Sequence, residues 1–140
     1  MQYRKVEDGF FICLARDDKI IESLTQIVKE QQIGSGTIVG IGAVKDARLG
    51  FYHLNRKSYD EKRFPEEMEL VNLSGNVSWL DDKPVIHCHV TLGNTRFEAI
   101  AGHLFEAEIA VTGEFFLSVK PTRVVRKRVE AMGLNLIHLE

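Results

Sequence analysis

The 140 residues, 44% of them hydrophobic, suffice for one buried core, and a single domain over residues 1–140 is expected. Eighteen basic and twenty acidic side chains leave a formal charge of -2, which withholds the strong positive field that drives phosphate-backbone binding. No stretch approaches the roughly 18 apolar residues of a membrane span, and the two cysteines, Cys13 and Cys88, lack CxxC spacing, which excludes a disulfide scaffold or a zinc ribbon. A soluble, cytoplasmic protein with both thiols buried is expected.

In chain order, Phe10 to Ala15 is a short apolar run that reads as a strand, and Arg16-Asp17-Asp18 offers an aspartate to cap a helix beginning near Lys19. Along that helix Ile20, Ile21, Leu24, Ile27 and Val28 fall on one face, with Gly34 as its stop. Gly36 to Leu54 is rich in Ile, Val, Phe and Tyr but broken by Gly40, Gly42 and Gly50, which predicts one long bent strand or two. Tyr59 to Pro65 is polar and reads as a connecting loop, and the alternation from Met68 to Ser74 predicts a strand ending at Gly75-Asn76. Asp81-Asp82-Lys83-Pro84 is a turn, Val85 to Leu92 a strand, Gly93-Asn94 a second turn, and Phe97 to Leu104 the returning strand. Glu108 to Val119 is a further strand. Pro121-Thr122 then opens a short helix carrying Val125, Val129 and Met132 on one face with Gly133 at its end, and Leu134 to Leu139 closes as a strand. The fold class is therefore α/β in the α+β sense, a mostly antiparallel sheet with two helices.

His87 and His89 stand two apart in Ile86-His87-Cys88-His89-Val90, and side chains two apart on a strand share a face. Cys88 points the other way with Ile86, Val90 and Leu92, the apolar set that marks the core side, and is no ligand. Whether His103 joins the pair depends on the register of the hairpin between them. A two-residue turn at Gly93-Asn94 sets His89 opposite Glu98 and sends His103 to the other face. A three-residue loop sets His89 opposite Ala99, His87 opposite Ala101 and His103 opposite Val85, with all three imidazoles on one side; this register is favoured. The small alanines then leave room, while Phe97 and Phe105 wall the site from water. Neutral imidazoles suit zinc or another divalent transition metal, and three protein nitrogens leave a fourth position for water or a small-molecule ligand. The competing reading makes each histidine an ordinary hydrogen-bonded residue.

Other features carry less. Gly34-Ser35-Gly36 and Gly40-Ile41-Gly42 lack the Gly-Lys-Ser/Thr that a phosphate cradle needs and read as strand bends. Lys120, Arg123, Arg126, Lys127 and Arg128 form the densest basic run, read as a solvated helix face that could touch an acidic partner. Glu114, a carboxylate within an apolar strand, is the candidate catalytic base or a residue orienting a histidine, weighed against an ordinary exposed position. No arrangement supports covalent catalysis.

Gly34-Ser-Gly-Thr-Ile-Val-Gly-Ile-Gly-Ala-Val44, Glu69-Leu-Val-Asn-Leu-Ser-Gly-Asn76, His87-Cys-His89 and Gly102-His-Leu104, in that order, resemble the PPC domain, "plants and prokaryotes conserved", over nearly the whole chain. The resemblance implies an α/β fold with a mostly antiparallel sheet, a homotrimer, and a zinc-type ion held by histidines at the positions of His87, His89 and His103. In plant relatives the domain follows an AT-hook, an Arg-Gly-Arg-Pro type segment that enters the DNA minor groove; no such segment occurs in these residues, so the DNA-binding label of the family is discounted.

Three functions follow as expectations. The leading one is a homotrimeric metal-binding protein with a three-histidine site. The second is a metal-dependent hydrolase that uses the open position, with Glu114 as base. The third is a DNA-binding or transcription-associated protein acting through the basic segment Lys120 to Arg128. A histidine on a threefold axis would instead bind one ion with three chains.

Overall fold

The computed structural model describes residues 1–139. Nine strands and one helix follow the chain as β1 (Gln2–Val6), β2 (Gly9–Ala15), α1 (Ile20–Glu30), β3 (Ser35–His53), β4 (Ser58–Phe64), β5 (Met68–Leu80), β6 (Lys83–Gly93), β7 (Ala99–Lys120), β8 (Val125–Val129) and β9 (Leu134–His138). The fold among the described residues is thus mostly β-sheet with a single helix, not two. No helix is long and apolar enough to cross a membrane.

Two long strands organise the sheet. β3 pairs antiparallel with β7, and β5 and β6 bridge them, β5 to β3 and β6 to β7, so these four strands close into a ring. The inward set is apolar and two-periodic: Ile86, Cys88, Val90 and Leu92 of β6 meet Leu70, Leu73, Val77, Phe115 and Leu117. Helix α1 closes the core with Ile20, Leu24, Ile27 and Val28, the face its periodicity marked. Its N-terminus is satisfied differently from the expectation. Asp18 accepts a bond from the Ala15 N–H at 2.9 Å, which tightens the preceding turn, while the carboxylate of Glu106 on β7 accepts the Ile21 N–H at 2.8 Å and the Glu22 N–H at 3.2 Å. The cap thus comes from a strand 85 residues away, and burial pushes the Glu106 carboxyl up against the opposing pull of those N–H groups. Gln32, with φ of 49°, takes the left-handed position after the helix that Gly34 was expected to supply.

Three sequence expectations fail for physical reasons. Tyr59 to Pro65 is not a loop: most of it is β4, an outer strand paired only to β3, whose exposure explains its polar composition. Gly75-Asn76 is not a turn. β5 runs straight through it, and Gly75 lies opposite Cys88, where a Cβ would come within 2.4 Å of the Cys88 Sγ and 2.5 Å of the His87 carbonyl oxygen. The second helix is also absent. Val125 to Val129 forms β8, paired with β9 around a turn over 130–133 and bridged to Trp79 of β5. The turn at Asp81-Asp82 stands as expected, with φ of 46° and 60° at its two residues, the backbone of the tight hairpin turns that match strand twist.

Candidate metal centre

The register of the β6–β7 hairpin decides the site. Its loop is five residues, Asn94 to Glu98, closed by the Asn94 Oδ1, which accepts the N–H of Arg96 at 2.9 Å and of Glu98 at 3.0 Å. Gly93 therefore pairs with Ala99 and His89 with His103. Two residues longer than the favoured loop, it keeps the same parity, so the three histidines share a face even though their partners differ. Ala99 and Ala101 oppose Gly93 and Thr91 rather than His89 and His87. Phe97 sits at the loop tip, 98% exposed, and walls nothing.

The rings of His87 and His89 are 5.2 Å apart, His87 and His103 5.2 Å, and His89 and His103 5.4 Å, centre to centre. One nitrogen from each falls within 4.8 Å of the others. The His103 Nδ1 is buried without a hydrogen-bond partner among the described residues, an arrangement that normally carries a free-energy penalty of about 1–3 kcal/mol. Burial, helped by the neighbouring His87, His89 and Arg126, lowers the His103 pKa to about 4; burial, then Arg126 and His89, lowers that of His87. Both rings are therefore neutral at pH 7, the state in which imidazole ligates. Imidazole nitrogens at this spacing, one of them orphaned, suit a borderline divalent ion such as zinc. Cys88 faces the core from the back of β6, with burial raising its thiol to about 12, and takes no part.

Of the two phenylalanines expected to wall the site, Phe105 does so, and Tyr59, read from sequence as part of a loop, takes the place of Phe97. Tyr59 of β4 lies 5.1 Å from the His103 ring, and Phe105 lies 4.9 Å from it. Gly50 of β3 pairs with His103, and its missing side chain makes this possible: a Cβ there would meet the Phe105 ring at 2.5 Å and the Tyr59 ring at 2.8 Å. Across the cluster, Arg126 of β8 turns inward. Its Nε donates to Ser78 Oγ at 2.7 Å, Nη1 to the Asn135 carbonyl at 2.9 Å, and Nη2 to Asn76 Oδ1 at 3.4 Å and His87 Nδ1 at 3.3 Å. Beside it opens a cavity of about 270 Å³, bordered by His87, His103 and Arg126 and otherwise lined mainly by Tyr59, Leu80, Val85, Leu134 and Leu136. Glu114 is elsewhere. It stands exposed eleven residues further along β7, in register with Cys13 and Ile41, and shares a hollow with Ile41, Val71 and Val111. The strongest sequence signal for Arg126 was its basic run, and that run is no helix face: Arg123 pairs with Asp82 at 2.7 Å and stacks 4.3 Å over Trp79, while Arg128 donates to the Gly133 carbonyl at 2.7 Å.

Together these features define a small antiparallel β-protein with a cluster of three histidines, two of them half-buried and neutral, beside a cavity bordered by an arginine. The chain belongs to the Plants and Prokaryotes Conserved (PCC) domain family, whose profile matches residues 1–119. It is similar to a solved structure from Bacteroides thetaiotaomicron, described as a candidate DNA-binding protein, at 34% identity and a TM-score of 0.95 over 98% of this chain and 96% of that one. A metal-containing protein from Archaeoglobus fulgidus is similar at 34% identity and a TM-score of 0.86, covering 99% of this chain and 100% of that one. A plant- and prokaryote-conserved protein from Pyrococcus horikoshii is similar at 29% identity and 0.85, over 93% and 90%. No curated protein matches the chain.

Proposed function

We propose that the protein is a homotrimeric metal-binding protein whose ion, zinc or another divalent transition metal, is held by His87, His89 and His103. The observation that carries this reading is the convergence of three imidazole nitrogens within 4.8 Å, one of them buried with no other partner. The metal content of the Archaeoglobus fulgidus relative supports it. When bound, such an ion supplies a Lewis acid and an open position at which a water is acidified. The chain's own residues then shape access. Tyr59 and Phe105 shield one side, and His89, exposed, leaves the other open. Glu114, on a different surface, gains no support as a base for that water.

Self-association is supported by an outer sheet face on β3, β5 and β7, where Val39, Ile41, Val71, Val111 and Phe116 are each 45% to 69% exposed. Adjacent apolar side chains at this exposure mark a surface that another protein covers. Native mass spectrometry of protein purified without a chelating column tests both parts. Wild type should give a trimer with one zinc-type ion per chain, and His87→Ala a trimer without it. One ion per three chains would place the site on a symmetry axis, and a metal-free wild type that ignores added zinc would refute the reading.

A second reading, DNA binding, rests on the descriptions of the Bacteroides thetaiotaomicron and Ralstonia eutropha relatives, the latter 30% identical. Against it stand the charge of -2 and an Arg126 turned inward. Binding to a DNA duplex that weakens steeply with added salt would favour it.

A further inference from the structure

We propose that the cavity beside the histidines binds a small monocarboxylate with a compact apolar body, its carboxylate held by the guanidinium of Arg126. The inference rests on the metal-binding reading for part of its strength, and its test separates the two.

Arg126 is a half-buried cation whose partners are all neutral: a serine hydroxyl, a backbone carbonyl, a carboxamide oxygen and an imidazole nitrogen. Among the described residues no carboxylate pairs with it. A charge partly withdrawn from water without a counter-ion is unfavourable, and attaching β8 does not by itself require one. Asn76, Ser78 and Asn135 hold the guanidinium at the edge of the cavity of about 270 Å³.

The donor count points to what it holds. Guanidinium has five N–H groups, and the contacts above engage one on Nε, one on Nη1 and both on Nη2. One Nη1 donor is left. A second follows from the histidine. Whichever nitrogen of His87 ligates an ion, its Nδ1 lone pair is lost to Arg126, either to the ion or to the proton that Nδ1 then carries. Loading therefore releases an Nη2 donor beside the one left on Nη1, so that each terminal nitrogen has an N–H to offer a carboxylate. Apart from Asn135, the remaining lining is mainly apolar, with Leu80, Val85, Leu134 and Leu136 around the ring of Tyr59. That favours a branched hydrocarbon body over a sugar or a nucleotide, which would bury hydroxyls unpaired.

Titration calorimetry of 3-methylbutanoate into protein of measured zinc content, then of its neutral amide, tests this. The carboxylate should bind, more tightly with zinc loaded, and the amide should bind roughly tenfold or more weakly, as loss of a charge-assisted bond implies. Arg126→Gln should weaken the carboxylate by a similar factor. Leu136→Trp, which fills the cavity and leaves the guanidinium in place, should abolish binding if Arg126→Gln proves unfolded by circular dichroism. Absence of carboxylate binding to folded wild type at millimolar concentration, an amide that binds equally well, or undiminished binding to Leu136→Trp would overturn the proposal. Carboxylate binding by protein that never takes up zinc would sustain this pocket and sink the metal reading; zinc uptake without carboxylate binding would do the reverse.

Discussion

Two hairpins meet at the histidines and were encoded in different ways. In β6–β7 the histidines of β6 alternate with the core residues Ile86, Cys88, Val90 and Leu92, so one strand's periodicity exposes both faces at once. In β8–β9, Val125, Arg126, Lys127, Arg128 and Val129 present a mixed pattern, half-buried at best, that fits a helix face as well as a strand edge. The first hairpin is built around the core and its register is enforced by burial. The second is laid against the outside through one bridge to Trp79, the bonds of Arg126 and those of Tyr52 and Lys57 to its turn, yet it supplies the cation and part of the cavity wall. A cluster of like side chains can thus be written in local sequence while the cavity beside it is completed by a distant, weakly patterned segment.

The largest expected effect falls on the core-built hairpin. Gly75→Val forces β5 and β6 apart, since backbone and the Cys88 sulfur both stand within 2.5 Å of the new Cβ. Overpacking of this kind destabilises by about 1–3 kcal/mol, read from urea midpoints, and metal should be lost with it. Arg126→Met addresses the outer hairpin. It leaves the buried Ser78 hydroxyl without its partner, destabilising by about 1 kcal/mol, while removing a charge whose burial opposed folding. Metal content should hold; if it falls to zero, the two hairpins form one cooperative unit and the contrast between them dissolves.

The smallest effect is that of pH on metal-free protein. His103 titrates near 4 when folded and near 6.5 when unfolded, so between these values the unfolded chain holds more protons. Stability is unaffected above about pH 6.5, declines as pH falls toward 4, and levels off below. With solvent screening of a half-exposed ring the loss is about 1 kcal/mol. His103→Phe should remove most of that slope, and an unchanged slope would assign it to other groups.

Much of this was open to reading from the chain alone. Helix α1, the Asp81-Asp82 turn and the shared face of His87 and His89 each follow from local rules of period and backbone conformation, which act within a few residues. The presence of His103 on that face needed only the parity of a loop. The loop's actual length could not be read, because it is closed by the Asn94 side chain bonding across five residues. Nor could the strand nature of 125–129, where one bridge and an inward arginine override an ambiguous pattern, or the place of Tyr59 beside the expected Phe105, which depends on Gly50 standing opposite His103. Sequence by itself determined which side chains face together along one strand, because alternation is a property of the backbone. Only the tertiary structure decided what stands across from them, because pairing between distant strands is set by packing of the whole core.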